Sequence, residues 1–313
     1  MSTRALHAVA AAGTGYLHAD YARSLSEFGA PRLLPACGGW VLVRSISGSP
    51  YRDAMGCYPL FACNDWSALP SDLADLDPEL VSLALVTDPL AEHDAATMRR
   101  AFPDVCAPFK THFVVDLGRS PDSFVSAHHR RNIRTAARHV DVEVCTDPTA
   151  HAADWVTLYG HLIGRHGIRG IPAFSPRALT EQLRVPGLVM LRAVHHDDTV
   201  GITLWYRQGN AAYYHLGACT DLGYRLRASF SLHAFALTYF APRLAWLNLG
   251  AGAGARGTGS SGLTRFKSGW ATSLRIAYFC GRILNPARYA ELSRARSTSS
   301  SRYFPSYRDG EFA

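Results

Sequence analysis

The chain has 313 residues, enough for one large domain or two of about 150, and its 48% hydrophobic and 18% charged content describes a globular protein, not a disordered or fibrous one. No uncharged apolar stretch reaches the roughly 18 residues that a transmembrane helix needs. The net charge of +7 lies entirely in the C-terminal part: residues 222–290 hold nine basic side chains and no Asp or Glu, while the first 221 residues hold 19 basic and 22 acidic ones. A one-sided field of this kind suits a polyanion such as RNA, a nucleotide phosphate or an anionic lipid surface.

Taken in order, the pattern predicts a helix over 16–28, ended by Pro31. Apolar runs of strand length at 40–46 and 80–86 flank a helix at 65–76, and a helix with its connection over 91–108 leads to a strand at 112–117. The grammar restarts at Ser120. A helix over 121–140 is introduced by Ser120-Pro121-Asp122-Ser123, followed by a short strand at 142–145, a helix at 152–166 closed by Gly167, and a helix at 176–183. Strands at 188–194, 199–206 and 211–218, joined by polar turns, form an antiparallel meander. A helix at 230–240 and strands at 245–249 and 270–279 complete the pattern, and the Ser/Arg-rich residues from Ser293 onward lack periodicity and read as mobile. The organisation expected is α/β (α+β): a first unit over 1–119, a second over 120–292 and a mobile basic tail over 293–313.

The seven cysteines are odd in number and contain no C-x-x-C, which fits buried thiols in a reduced, cytoplasmic chain better than a disulfide framework or a zinc site. The first 15 residues are too weakly apolar for a signal peptide. Neither His128-His129 nor His195-His196 has metal-ligand spacing to a Cys or carboxylate, so no metal is expected.

Gly252-Ala253-Gly254-Ala255-Arg256-Gly257 follows a strand and fits G-x-G-x-x-G. The next residues are too rich in Gly and Ser to open a helix, however, and the acidic residue such a dinucleotide site needs further on is missing. What remains is a loop with many backbone N–H groups and Arg256, suited to close approach to an anion. On the helix from Pro121, Arg130, Arg134 and Arg138 fall four apart on one stripe; phosphate contact and a solvated face are both open readings of that stripe. Only Lys110 and Lys267 are lysines among the 32 basic residues, so a lysine at 267 marks a place where a compact ammonium replaces the default Arg.

Residues 113–138, Tyr214-His-Leu-Gly-Ala218, and Asn248-Leu-Gly250 with its Gly loop running into Phe266-Lys267 together resemble the Fem-type aminoacyltransferases, FemABX relatives built from two GNAT-like domains, here without the coiled-coil arm. The resemblance implies two GNAT-like mixed sheets in tandem, flanked by helices. It implies transfer of an amino acid from aminoacyl-tRNA to the free amine of a peptide or peptidoglycan-precursor-like acceptor, nucleotide-linked or carrier-protein-bound, in cell-wall or antibiotic peptide synthesis. No cofactor is implied beyond the aminoacyl-tRNA donor. Lys267 would be the catalytic cation and Phe266 a stacking surface beside it. Arg130, Arg134, Arg138, Arg256 and Arg265 would meet tRNA phosphates, Tyr206 and Tyr214 the acceptor, and Gly250, Gly252 and Gly254 would supply loop N–H groups. The place where a GNAT enzyme carries its glycines for the CoA pyrophosphate reads Arg225-Leu-Arg-Ala-Ser-Phe230. Neither glycine is present there, which weakens an acyl-CoA-dependent N-acyltransferase, the alternative reading, against the aminoacyl-tRNA one; a non-catalytic RNA-binding module is a second alternative.

Overall fold

A computed structural model describes residues 13–76, 79–252 and 262–311. Strands are β1 (Ala30–Leu34), β2 (Gly39–Ser45), β3 (Arg52–Gly56), β4 (Leu80–Val86), β5 (Val105–Asp116), β6 (Asp141–Val144), β7 (Leu188–His195), β8 (Asp198–Gln208), β9 (Ala211–Cys219), β10 (Trp246–Ala251) and β11 (Ser273–Ile283). Helices are α1 (Ala19–Ser24), α2 (Leu69–Ala74), α3 (Ala95–Ala101), α4 (Pro121–Phe124), α5 (Ala127–Ala136), α6 (Ala152–His166), α7 (Pro176–Gln182), α8 (Asp221–Arg225), α9 (Ala228–Phe240), α10 (Gly262–Ser268) and α11 (Pro286–Ala295). The expected mixed α/β architecture, sheets flanked by helices, is what forms.

The chain divides into two compact units. The first comprises residues 1–109, 169–172 and 277–313, and the second comprises residues 110–168 and 173–276. The division differs from a single break at 119/120. β5 passes into the second unit within one strand, and the end of β11 returns to the first, a long-range pairing that no local pattern announces.

In the first unit β1, β2 and β3 are antiparallel, β3 and β4 parallel, and β4 pairs antiparallel with β11. Val41, Ala54, Leu83 and Leu85 pack there against Phe61, Trp66, Leu69 and Phe102. The C-terminal residues are part of this unit and not a mobile tail. Arg308 donates from Nη2 to Asp53 Oδ1 at 2.9 Å and from Nε to Oδ2 at 2.5 Å, both side chains being buried. Tyr307 is fully buried and bonds Ser82 and Asp53 through its hydroxyl. The sequence pattern missed this because one buried ion pair and one Tyr anchor the segment, and neither leaves a period.

In the second unit the order is β5-β10-β9-β8-β7-β6. β10 is antiparallel to β5 and parallel to β9; β9, β8 and β7 form the expected antiparallel meander, and β6 adds antiparallel to β7. Alternation along β8 sends Trp205 to one face, against α9 residues Leu232, Ala236 and Phe240. Tyr206 goes to the other, where its hydroxyl donates to the carbonyl of Gln182 at the end of α7. The helix expected over 121–140 is two helices. The Ser126 hydroxyl accepts the His129 N–H at 3.2 Å and so caps a new helix, α5, six residues after Ser120.

Candidate active site

The end of β10 breaks register with β5. Asn248 pairs with Val114 and Ala251 with His112, so one extra residue bulges out at Leu249-Gly250. Gly250 has φ +77°, a left-handed conformation that favours glycine. Its N–H donates to Asn248 Oδ1 at 2.8 Å, and the same oxygen meets His112 Nδ1 at 3.0 Å. That oxygen can only accept, so His112 carries its proton on Nδ1. Burial drives the His112 pKa down to about 4; the Asn248 bond opposes the shift, while the charges of Lys267 and Lys110 add to it. His112 is neutral at pH 7.

Lys267, on α10, reaches back to this bulge. Its Nζ donates to the Ala251 carbonyl at 2.7 Å and lies 5.6 Å from the centroid of the Tyr214 ring. The residue is 6% exposed. A Cβ on Gly250 would sit 3.1 Å from Nζ, so glycine there also makes room for the amine. Burial first, then the charge of Lys110, brings the Lys267 pKa down to about 7. Amine and ammonium forms therefore coexist near neutral pH.

Helix α10 has seven residues and needs an external anchor. The Phe266 ring packs among His129, Phe230, His233 and Trp270, and the Phe266 carbonyl bonds His129 Nε2 at 2.8 Å. The other nitrogen, Nδ1, meets Ser126 Oγ at 2.8 Å. The imidazole lies against Gly269, where a Cβ would come within 2.1 Å of the ring. Phe266 and His129 thus clamp the helix that presents Lys267. Phe266, partly buried, anchors α10 in an aromatic nest.

The other predicted residues are more scattered. The Arg130 guanidinium donates to the carbonyls of Asp122 and Val125 and ties α4 to α5. Arg134 is exposed, and Arg138 is exposed beyond the end of α5, so the stripe of three does not form on one helix. Arg130 and Arg134 line a cleft of about 270 Å³ with Val125, Ile133, Leu237 and Trp270. Arg265 is exposed on α10. Tyr206 is fully buried with its hydroxyl committed to Gln182, so it offers an acceptor no surface and works as packing. Tyr214 is half-buried beside Lys267, and Gly252 is buried just past β10. Gly254 and Arg256 lie outside the described residues. Glu143, Cys145 and His151 gather three metal-ligand atoms within 4.8 Å. Glu143 is ion-paired with Arg192 at 2.8 Å, however, and burial pushes the Cys145 thiol up to about 11, which disfavours the thiolate a metal requires.

No protein-family model matches the chain, and no curated protein matches it. Among solved structures it is similar to FemX, at 14% identity, 93% of this chain, 98% of that chain and a TM-score of 0.66. The chain has the Fem-type fold. It is also similar to the C-terminal domain of a putative lysylphosphatidylglycerol synthetase from Agrobacterium fabrum, at 14% identity, 94% of each chain and a TM-score of 0.61. A third likeness, to L-PGS from Bacillus licheniformis, has 15% identity, 94% and 96% coverage and a TM-score of 0.58. In this Fem-type fold the bulge of β10 and the amine of Lys267 meet in the second unit. Sequence reasoning placed Lys267, Phe266, Tyr214 and Gly250 there but missed His112, His129, His233 and Lys110. The His129 signal was available: a His three residues after a Ser, at the start of a helix. Among the described residues no helix is long and apolar enough to cross a membrane.

Proposed function

We propose that this chain is an aminoacyltransferase that moves an amino acid from aminoacyl-tRNA to the free amine of a peptide or peptidoglycan-precursor-like acceptor, forming an amide. The observation that carries this reading is the buried Lys267 amine at the β10 bulge, on a Phe-Lys pair matching the Fem pattern. The Fem-type fold and the acid-free basic sequence from 222 to 290 support it.

An aminoacyl ester is already activated, so the chemistry asks for placement and proton transfer. The acceptor amine attacks the ester carbonyl, the new C–N bond forms, and the tetrahedral intermediate collapses by breaking the bond to the ribose oxygen. One proton must leave the attacking nitrogen and one must reach the ribose oxygen. A lysine whose pKa lies near 7 can do both, taking the proton as an amine and returning it as an ammonium. The ammonium form also sits where a developing oxyanion would be favoured. Orientation of the two reactants contributes roughly 7–11 kcal/mol. Asn248 Oδ1 ties His112 to the Gly250 N–H and so holds the bulge whose Ala251 carbonyl accepts from Lys267.

The test is product formation from purified protein, charged tRNA and an amine acceptor. The amide should appear with charged tRNA and vanish after ribonuclease treatment. Acylation of the amine by acetyl-CoA alone, indifferent to ribonuclease, would assign the chain to the acyl-CoA enzymes. Binding of tRNA with no amide formed would make it a non-catalytic module.

A further inference from the structure

Cys106 is the one exposed thiol among the seven cysteines, and it stands against a buried one. Strands β5 and β11 are neighbours in the sheet. They run antiparallel, because the partners fall along β5 as they rise along β11. The Thr272 N–H donates to the Val114 carbonyl at 2.9 Å, the Phe279 and Phe109 rings lie 5.7 Å apart, and the Ile283 N–H donates to the Asp104 carboxylate just before β5 at 2.8 Å. That register sets Cys106 opposite Cys280 within the first unit, and the Cys280 thiol donates to Cys106 Sγ at 3.7 Å. Residues directly opposed in an antiparallel pair have Cα atoms about 4.5–5.5 Å apart, inside the range of about 4.4–6.8 Å that a disulfide spans. Closing from 3.7 Å to a bonded length of about 2.05 Å therefore asks for side-chain rotation, not for a new strand register.

The two thiols are unequal. Cys106 is open to solvent, whereas Cys280 is fully buried in the core of the first unit, where burial pushes its thiol well above the ordinary range. An oxidant meets Cys106 first, and Cys280 stands where a resolving thiol must stand. We propose that Cys106 and Cys280 form a peroxide-responsive dithiol, in which oxidation of Cys106 is captured by Cys280 as a disulfide that ties β5 to β11. In the first step the Cys106 sulfur attacks an oxygen of the peroxide. The O–O bond breaks, a sulfenic acid forms and one water leaves. In the second step the Cys280 sulfur attacks the sulfenic sulfur, the S–S bond forms and the S–O bond breaks. The hydroxyl departs with the Cys280 proton as a second water. Together the two thiols lose two electrons and two protons, and the peroxide is reduced to two waters. Without a resolving thiol a sulfenic acid goes on to sulfinic and sulfonic acids that thiols do not reverse. Capture by Cys280 keeps the oxidation reversible. In a reducing setting such a pair stays a dithiol and closes only while oxidant is present.

The test exposes the full chain, reduced with dithiothreitol and desalted, to a small excess of hydrogen peroxide. The native protein is then quenched and denatured with N-ethylmaleimide and digested without reduction, and the peptides are mapped by mass spectrometry. The expected result is a covalent link between the Cys106 and Cys280 peptides, released by dithiothreitol. Cys106→Ser, a change at an exposed position, should lose the link and leave Cys280 as a free thiol that N-ethylmaleimide captures on denaturation. Cys280→Ala should leave Cys106 as a sulfenic acid trapped by dimedone, passing to sulfinic and sulfonic acid when dimedone is absent. The first two readouts need no change in the core. A wild-type Cys106 that ends as sulfinic or sulfonic acid while Cys280 remains a free thiol overturns the proposal. So does a link from Cys106 to any other cysteine or to a second chain, or a Cys280 that oxidises equally in Cys106→Ser. No readout uses tRNA or an acceptor amine, so this result is independent of the transfer assay.

Discussion

Replacing Lys267 by Met should stabilise the protein near neutral pH while removing its activity. In the unfolded chain Lys267 titrates near its ordinary 10.5, whereas in the folded chain burial holds it at about 7. The folded state thus releases a proton that the unfolded state keeps across this window. Between those two values the unfolded chain binds more protons, so stability rises with pH. Below about 7 the penalty is fully present, and above 10.5 it is gone. At about 1.4 kcal/mol per unit, the full difference is roughly 5 kcal/mol. Met matches the length of the stem, removes that penalty and leaves the Ala251 carbonyl without its donor, a loss of about 1–3 kcal/mol. Denaturant unfolding at pH 6.5 should therefore show Lys267→Met more stable than the wild type by roughly 2–4 kcal/mol. By pH 10 the order should reverse, because the lost hydrogen bond is then the main difference. A gap between the two proteins that stays constant from pH 6.5 to 10 would show that Lys267 is not held below its ordinary range and would refute the reasoning.

Gly250→Ala forces an L side chain into a left-handed conformation and sets a Cβ 3.1 Å from Lys267 Nζ; it should cost about 1–2 kcal/mol in a thermal unfolding assay and lower the transfer rate by more than that strain alone explains. Arg308→Met leaves Asp53 buried without its bidentate partner and should destabilise the first unit by about 3–5 kcal/mol, with Asp53→Asn/Arg308→Met recovering part of the loss in the same denaturant titration. Arg134 and Arg138 are exposed while Arg130 is committed to backbone carbonyls. Arg134→Gln/Arg138→Gln should therefore flatten the salt dependence of tRNA binding by up to about one unit of log–log slope per lost contact, and leave thermal stability unchanged.

The regular elements of the second unit were legible because their signals are local. Gly167 closes α6 in a left-handed conformation, and the three strands from Leu188 to Cys219 alternate between polar turns. β1 was hidden by Pro31, which lies inside the strand and not at the end of a helix. Part of the site could be read too. Lys267 stood out by rarity, and Asn248-Leu-Gly250 is the bulge that receives it. A companion of Lys267 was invisible for a physical reason: His112 comes to the bulge through a pairing of β5 with β10, some 140 residues apart in sequence. The arginine stripe misled because equal spacing of Arg130, Arg134 and Arg138 presumes one helix, and the cap at Ser126 together with the end of α5 at Ala136 breaks that premise. The same blindness to long-range contacts explains why Tyr307 and Arg308, buried against Ser82 and Asp53, read as tail.

Single-turnover transfer from saturating charged tRNA, measured for the wild type and for Lys267→Met, tests the account most directly. With the amine gone, both proton transfer and oxyanion stabilisation are lost, and the rate at saturating charged tRNA should fall by roughly 10²–10³-fold. Lys267→Arg should recover only a fraction, because a planar fork does not occupy the place of a point charge and does not give up its proton near pH 7. A Met variant that transfers at the wild-type single-turnover rate would remove Lys267 from the chemistry and contradict the account.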